Sequence, residues 1–423
     1  MNIDNINLYN AKFKSFFILL FILTPIVIFF SKFLSDLFLT IIAIYTLVYL
    51  IKFKKLNYTK NLKYFFIIIL YFSINLIINN FDTFLFLKSL SLFRFPLFIL
   101  FSIVIFDDLE ILKKKLYLFF IPLFIFVLNL YIQAFFNFDI FGNIVINDYQ
   151  RITSFFGDEY IAGSYLFFIF TIIILITNRF KTSIVLLLIA IYFGIFLSGD
   201  RTPFLMVNLF LILIFSMNIK KLFSLKFIFL LILVPSIILS LALLNSNKTI
   251  NLSAIDKYKG TYENLIKDFK NTESNKNNLG LKRWAYYGLY SKSLVIFKNN
   301  IFFGTTYKSF RNECGKEKYN DDYFKLTDGL EYIGCSTHPH NIYLEVLSEQ
   351  GLFGFILLIL LIHNFFKLSN KSVNFNNINY KIFLIVHFFP FKPFGSLYTN
   401  FNLIMFSTTI ALFLIFNKKK INY

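Results

Sequence analysis

The stretch Cys335-Ser-Thr-His338-Pro-His340-Asn341-Ile-Tyr-Leu-Glu-Val-Leu-Ser-Glu349-Gln-Gly351-Leu-Phe-Gly354 runs directly into Phe-Ile-Leu-Leu-Ile-Leu-Leu-Ile-His-Asn-Phe-Phe366. Polar residues and a proline give way at Ile342 to about 25 mostly apolar positions. At about 1.5 Å per residue these can cross the roughly 30 Å hydrocarbon core of a bilayer. The same pattern recurs along the chain and sets the fold class: an all-α membrane protein.

Of the 423 residues, 57% are hydrophobic, 21% aromatic and only 15% charged, with 62 Phe. Too few polar side chains remain to cover a soluble surface, which excludes disordered, disulfide-rich secreted and cytosolic classes. Reading apolar runs between polar breaks predicts about 12 transmembrane helices, at 15–30, 33–51, 64–78, 84–106, 116–135, 161–177, 183–197, 203–216, 227–244, 342–366, 382–389 and 403–416. The first run has no small-residue cleavage site and reads as a retained anchor. This gives three parts: an N-terminal bundle of about nine helices (1–244), one large outer loop (245–340) and about three C-terminal helices (341–423).

The net charge of +19 takes its meaning from placement. With the N-terminus inside, 21 of the 42 Lys and Arg fall in inside segments. Six, namely Lys32, Lys88, Arg94, Arg151, Arg201 and Lys392, fall in short outside segments or spans. The other 15 lie in the long loop, which the positive-inside rule exempts. Both termini are therefore expected in the cytoplasm, and nucleic acid is not an expected partner. Cys314 and Cys335 both fall in the outer loop, where an oxidising compartment favours a disulfide over two unpaired thiols. Residues 284–297 have apolar positions at helical spacing and are expected to lie against the membrane face.

Candidate chemistry gathers on the outer side. His338 and His340 stand before a span, where an imidazole with an ordinary pKa near 6.5 can accept a proton; the alternative is an ordinary interfacial pair. Asn341 suits a helix N-cap. Continuing one helix from His340 puts Gly351 and Gly354 on its face, open to a neighbouring helix. Glu349 would then lie inside the bilayer boundary, as a functional carboxylate or as the partner of a neighbouring Lys or Arg. Arg151, Arg201 and Arg283 carry guanidinium groups suited to phosphate or diphosphate, with nonspecific lipid contact as the alternative. Lys88 and Arg94, in a span broken by Pro96, are expected to line an interior cavity. Asp158 and Glu159 lack a spaced His/Asp cluster, so an Arg salt bridge is expected there and no metal.

At these residues the sequence resembles the O-antigen ligase and polymerase superfamily of bacterial membrane glycosyltransferases. His340, Asn341, nine residues, Gly351, two residues and Gly354 match its His-[Asn/Ser/Gln]-x9-Gly-x-x-[Gly/Thr/Tyr] pattern. Ser198-Gly-Asp-Arg201-Thr resembles its Ser-Gly-x-Arg turn. The block from Arg151 through Gly157-Asp-Glu159 and Gly163-Ser-Tyr-Leu166 resembles its Arg-containing segment before a span. Arg283, Tyr287 and Gly304 resemble a further Arg/Trp and Pro/Gly block, with Tyr287 in the place of Trp and Asn300 in that of Pro.

The resemblance implies a GT-C-like fold in the bacterial inner membrane with a periplasmic active face, and no cofactor. It implies a metal-independent inverting glycosyltransferase that takes a glycan from undecaprenyl diphosphate to a lipid A-core acceptor. The alternative within the family is a polymerase extending a growing lipid-linked glycan. His340, Arg201 and Arg283 would be catalytic, with Arg151, Asn341, His338, Glu349, Lys88 and Arg94 binding substrate. Gly351, Gly354, Cys314 and Cys335 would be structural. A transporter of an anion or lipid-linked sugar is the competing class, supported by the many spans and the charges within them.

Overall fold

The computed structural model describes residues 3–79, 82–104, 115, 117–143, 151–177, 181–218, 285–319, 335–368, 375–393 and 395–417. Fourteen α-helices form there, and no strand among the described residues. They are α1 (Ile3–Val27), α2 (Lys32–Lys52), α3 (Lys63–Asn79), α4 (Thr83–Ser91), α5 (Arg94–Val104), α6 (Tyr117–Phe136) and α7 (Ala162–Ile176). They continue with α8 (Thr182–Leu197), α9 (Arg201–Asn218), α10 (Ala285–Asn299), α11 (Phe310–Glu313), α12 (Ile342–Leu368), α13 (Phe375–His387) and α14 (Asn400–Asn417).

Four apolar segments are long enough to cross a membrane: α2, α4 with α5, α6 and α12. Seven shorter apolar helices accompany them, and the chain is a multi-pass membrane protein. Eleven of the expected spans fall on these helices; 227–244 lies outside the described residues. The span expected at 84–106 is two helices that part at Leu92 and Phe93. Pro96 has no N–H to continue the ladder from α4 but fits the first turn of α5. Side-chain caps start α2 and α4: Ser31 accepts from Leu34 N at 3.2 Å before α2, and Asp82 from Leu85 N at 3.0 Å before α4.

The main core lies around α5, α7 and α14. Every residue of α7 except Ser164 is buried, and α14 packs against α1, α2, α5, α7 and α13. Aromatic rings fill it, as in Phe126 against Tyr165 (4.9 Å between centroids) and Tyr380 stacked on Phe413 (3.8 Å). A second, small core belongs to the loop segment between α9 and α12. It joins Leu289 and Ile296 of α10 to Phe310, Cys314 and Tyr319. Residues 285–299 do form the amphipathic helix read from the sequence, and that helix packs on α12.

The candidate active site

α12 is broken. Gly351 sits at φ +66°, ψ −165°, so the helix that carries the His340 motif stops at Gln350 and restarts at Leu352. The backbone groups freed there pair with the outer loop. Ser348 and Glu349 carbonyls accept from Thr305 N (3.2 Å) and Thr306 N (2.8 Å). Leu352 N donates to Ile301 O (2.7 Å) and Phe353 N to Phe302 O (3.3 Å). A helix break among apolar neighbours is tolerable only when such groups are satisfied. The expectation of one continuous helix face is corrected here. What approaches Gly351 is the loop backbone at Phe302 and Gly304, not a helix, because only glycine takes this φ and leaves this space. Gly354 abuts Tyr71 of α3.

Glu349, almost fully buried, anchors the same loop. Its two carboxylate oxygens accept from Phe310 N (3.0 Å) and Lys308 N (2.8 Å). One turn earlier Glu345, also buried, accepts from Ser396 Oγ (2.5 Å) and Leu397 N (2.8 Å), just before α14. Sequence reading missed Glu345, although its four-residue spacing from Glu349 puts both carboxylates on one helix face. Between these anchors lie Tyr307 and Tyr398, with rings 4.8 Å apart. Burial, then the two carboxylates, push the Tyr307 phenol up. Burial, reinforced by the charges of Lys88 and Arg311, brings the Lys308 ammonium down to about 8.

At the head of α12, Asn341 is the cap expected of it. Its Oδ1 accepts from Tyr343 N (3.0 Å) and Leu344 N (3.2 Å), and its Nδ2 donates to Pro390 O (2.7 Å). His340 lies just outside the helix at φ +57°. Its ring is 4.1 Å from that of His338, which Thr337 Oγ1 holds at 2.9 Å from Nδ1, and 5.6 Å from Tyr286. Burial lowers the His340 pKa, so the ring stays neutral to lower pH.

The Arg151 and Arg201 blocks meet. Ile152 N donates to Ser198 O (3.2 Å), Arg151 Nη1 lies 3.6 Å from Asp200 Oδ1, and Asp200 Oδ2 accepts from Gly163 N (3.1 Å). A side chain at Gly163 would strike Asp200 and Ser198. Arg201, exposed, is the first residue of α9. Further along α9, Met206 Sδ lies 3.8 Å from Lys392 Nζ. The segment 388–392 therefore touches both the head of α12, through Asn341, and the outer part of α9.

Other expected residues lie elsewhere. Arg94 is tied to Asp36 (2.7 Å) and Asn400 (3.2 Å), bracing α5 against α2 and α14, and Lys88 is exposed over the Phe84 ring. Neither lines the apolar cavity between α3, α12 and α14: Lys88 is exposed, and Arg94 is held by the Asp36 pair. That cavity, about 50 Å³, lies beside His387 and Tyr398. His340 and Arg201 do not line it either. Glu159 pairs with Lys32, where an Arg was expected. Cys314 and Cys335 are disulfide-bonded. Arg283 lies outside the described residues.

These features define a multi-pass helical membrane protein in which a broken helix pairs with the loop segment that precedes it. Residues 183–359, from α8 into the second half of α12, match the family described as O-Antigen ligase. That stretch is less than half of the chain, and it is what resembles the O-antigen ligase and polymerase superfamily. No curated protein matches the chain.

Proposed function

We propose that the protein transfers a glycan from undecaprenyl diphosphate to a lipid A-core acceptor at the periplasmic face of the bacterial inner membrane, by an inverting, metal-independent displacement on a GT-C-like bundle. Both termini then face the cytoplasm, and 245–340 forms the periplasmic part between two membrane portions. The observation that carries this reading is the shared segment 388–392, which the His340 end of α12 and the Arg201 helix both touch.

In this reaction neutral His340 takes the proton of an acceptor hydroxyl. The oxygen attacks the anomeric carbon, and the bond to the diphosphate breaks. Arg201, at the N-terminus of α9 where the helix dipole also favours an anion, stabilises the departing diphosphate together with Arg283. Arg151 sets the Arg201 turn through Asp200, and Asn341 and His338 flank His340 at the approach of substrate. General-base assistance is worth about 10²- to 10⁴-fold. Cells carrying stably expressed His340→Ala or Arg201→Ala should therefore lose long-chain surface glycan, and wild-type amounts would reject the assignment. Long chains left on the polyprenyl carrier in a deletion strain would indicate the ligase; single repeats on the core would indicate the polymerase instead.

A further inference from the structure

His340 adopts a left-handed backbone conformation (φ +57°), which a residue with a side chain keeps only where its surroundings impose it. The surroundings are unequal. The His338 ring lies 4.1 Å away, tilted by 43°, and the Tyr286 ring stands edge-on at 5.6 Å. Tyr286 lies in the first turn of α10, and one turn further Tyr290 points its hydroxyl toward Asn341. Both tyrosines pack on the small outer core, and so does Cys335. The Cys314–Cys335 bond, with Cα atoms 5.3 Å apart, fastens the start of the His338 and His340 segment to that core. One covalent link therefore serves both neighbours: it completes the core on which Tyr286 rests and fixes the chain leading to His340.

We propose that Tyr286 is a positioning residue for His340, and that the Cys314–Cys335 disulfide keeps the two rings together, so that the reactivity of His340 depends on the redox state of the outer loop. The Tyr286 ring stands at 68° to the imidazole and closes one side of it. It limits water there and blocks the rotation that would turn the ring nitrogens away from the acceptor. The catalytic part of this inference rests on His340 being the base.

The test uses the full-length protein in nanodiscs as wild type, Tyr286→Ala, Tyr286→Phe, Cys314→Ser with Cys335→Ser, and wild type reduced with dithiothreitol. Diethyl pyrocarbonate carbethoxylates accessible neutral imidazoles, and tandem mass spectrometry resolves His340 from His338. Carbethoxylation of His340 should rise several-fold in Tyr286→Ala and in both proteins lacking the disulfide, and stay at the wild-type rate in Tyr286→Phe, which keeps the ring. In transfer assays Tyr286→Ala should lower kcat with little change in KM. The acid limb of its pH profile should move up toward 6.5, the ordinary value for His, and Tyr286→Phe should restore it. Equal carbethoxylation in Tyr286→Ala and wild type overturns the inference, as does a kcat unchanged by that substitution in a protein whose His340→Ala variant is inactive. If the cysteine variant does not fold, reduction of wild type replaces it. An active His340→Ala variant would reject the base assignment alone, since the carbethoxylation result stands apart from activity.

Discussion

Gly304 and Gly351 lie on opposite sides of the break in α12, both at positive φ (67° and 66°), and each is packed against the backbone of the other's segment. A Cβ on Gly351 would meet Phe302 and the Gly304 nitrogen; one on Gly304 would meet Glu349 and Gln350. Gly351→Ala should therefore cost about 1–3 kcal/mol in backbone strain alone, with the steric clash added. The measurement is a melting temperature in detergent, with Gly315→Ala as a control, since its site is open. Equal melting temperatures would reject this account of the break.

Glu349 holds the outer loop through backbone amides rather than through a cation. Glu349→Ala leaves Lys308 N and Phe310 N without their acceptor, at about 1–3 kcal/mol for each group that stays buried. Glu349→Gln retains one acceptor oxygen and should lose less. Limited proteolysis of 301–319 reports the release directly, and resistance equal to wild type in Glu349→Ala would argue against the anchor.

Asp200 and Arg151 should differ in their cost. Asp200 is buried and also accepts from Gly163 N, whereas the Arg151 side chain is 36% exposed. Asp200→Ala should lower the melting temperature clearly, and Arg151→Ala only slightly, because partly exposed ion pairs contribute little. If Arg151 also orients the Arg201 turn, glycan transfer should fall in both. The reverse order of melting temperatures would contradict the packing described.

Lys308 predicts a pH dependence. Its pKa is about 8 in the folded protein against an ordinary 10.5, so between those values the unfolded chain binds more protons. Stability should rise with pH across that window and show no such contribution below about 8, where the group is charged in both states. Melting temperatures of wild type minus Lys308→Met, followed from pH 7 to pH 10, should climb; a flat or falling difference refutes the environment assigned to this ammonium.

Composition and apolar run length exposed the membrane class, and the spans they marked coincide with helices wherever residues are described. Motif spacing located Asn341 as a cap and brought His340, Arg151 and Arg201 into view. What it concealed depends on contacts distant in sequence. A helical wheel assumes that the helix continues, so it placed Gly351 and Gly354 on one face; the break arises from a loop about 50 residues upstream. Backbone amides carry no signature of residue type, which is why Glu349 suggested a Lys or Arg partner. Lys88 and Arg94 were expected in one cavity because a single span was read where the structure has two helices, Thr83–Ser91 and Arg94–Val104.

The partners of the broken helix lie earlier in the chain than the helix itself. Residues 301–306 leave the ribosome before 342–353, so the hydrogen-bonding template is already made when α12 is synthesised. The freed backbone groups of this helix can then be satisfied only once that loop lies beside it. A defect in the loop would surface first as a mis-threaded C-terminal third, before any loss of chemistry.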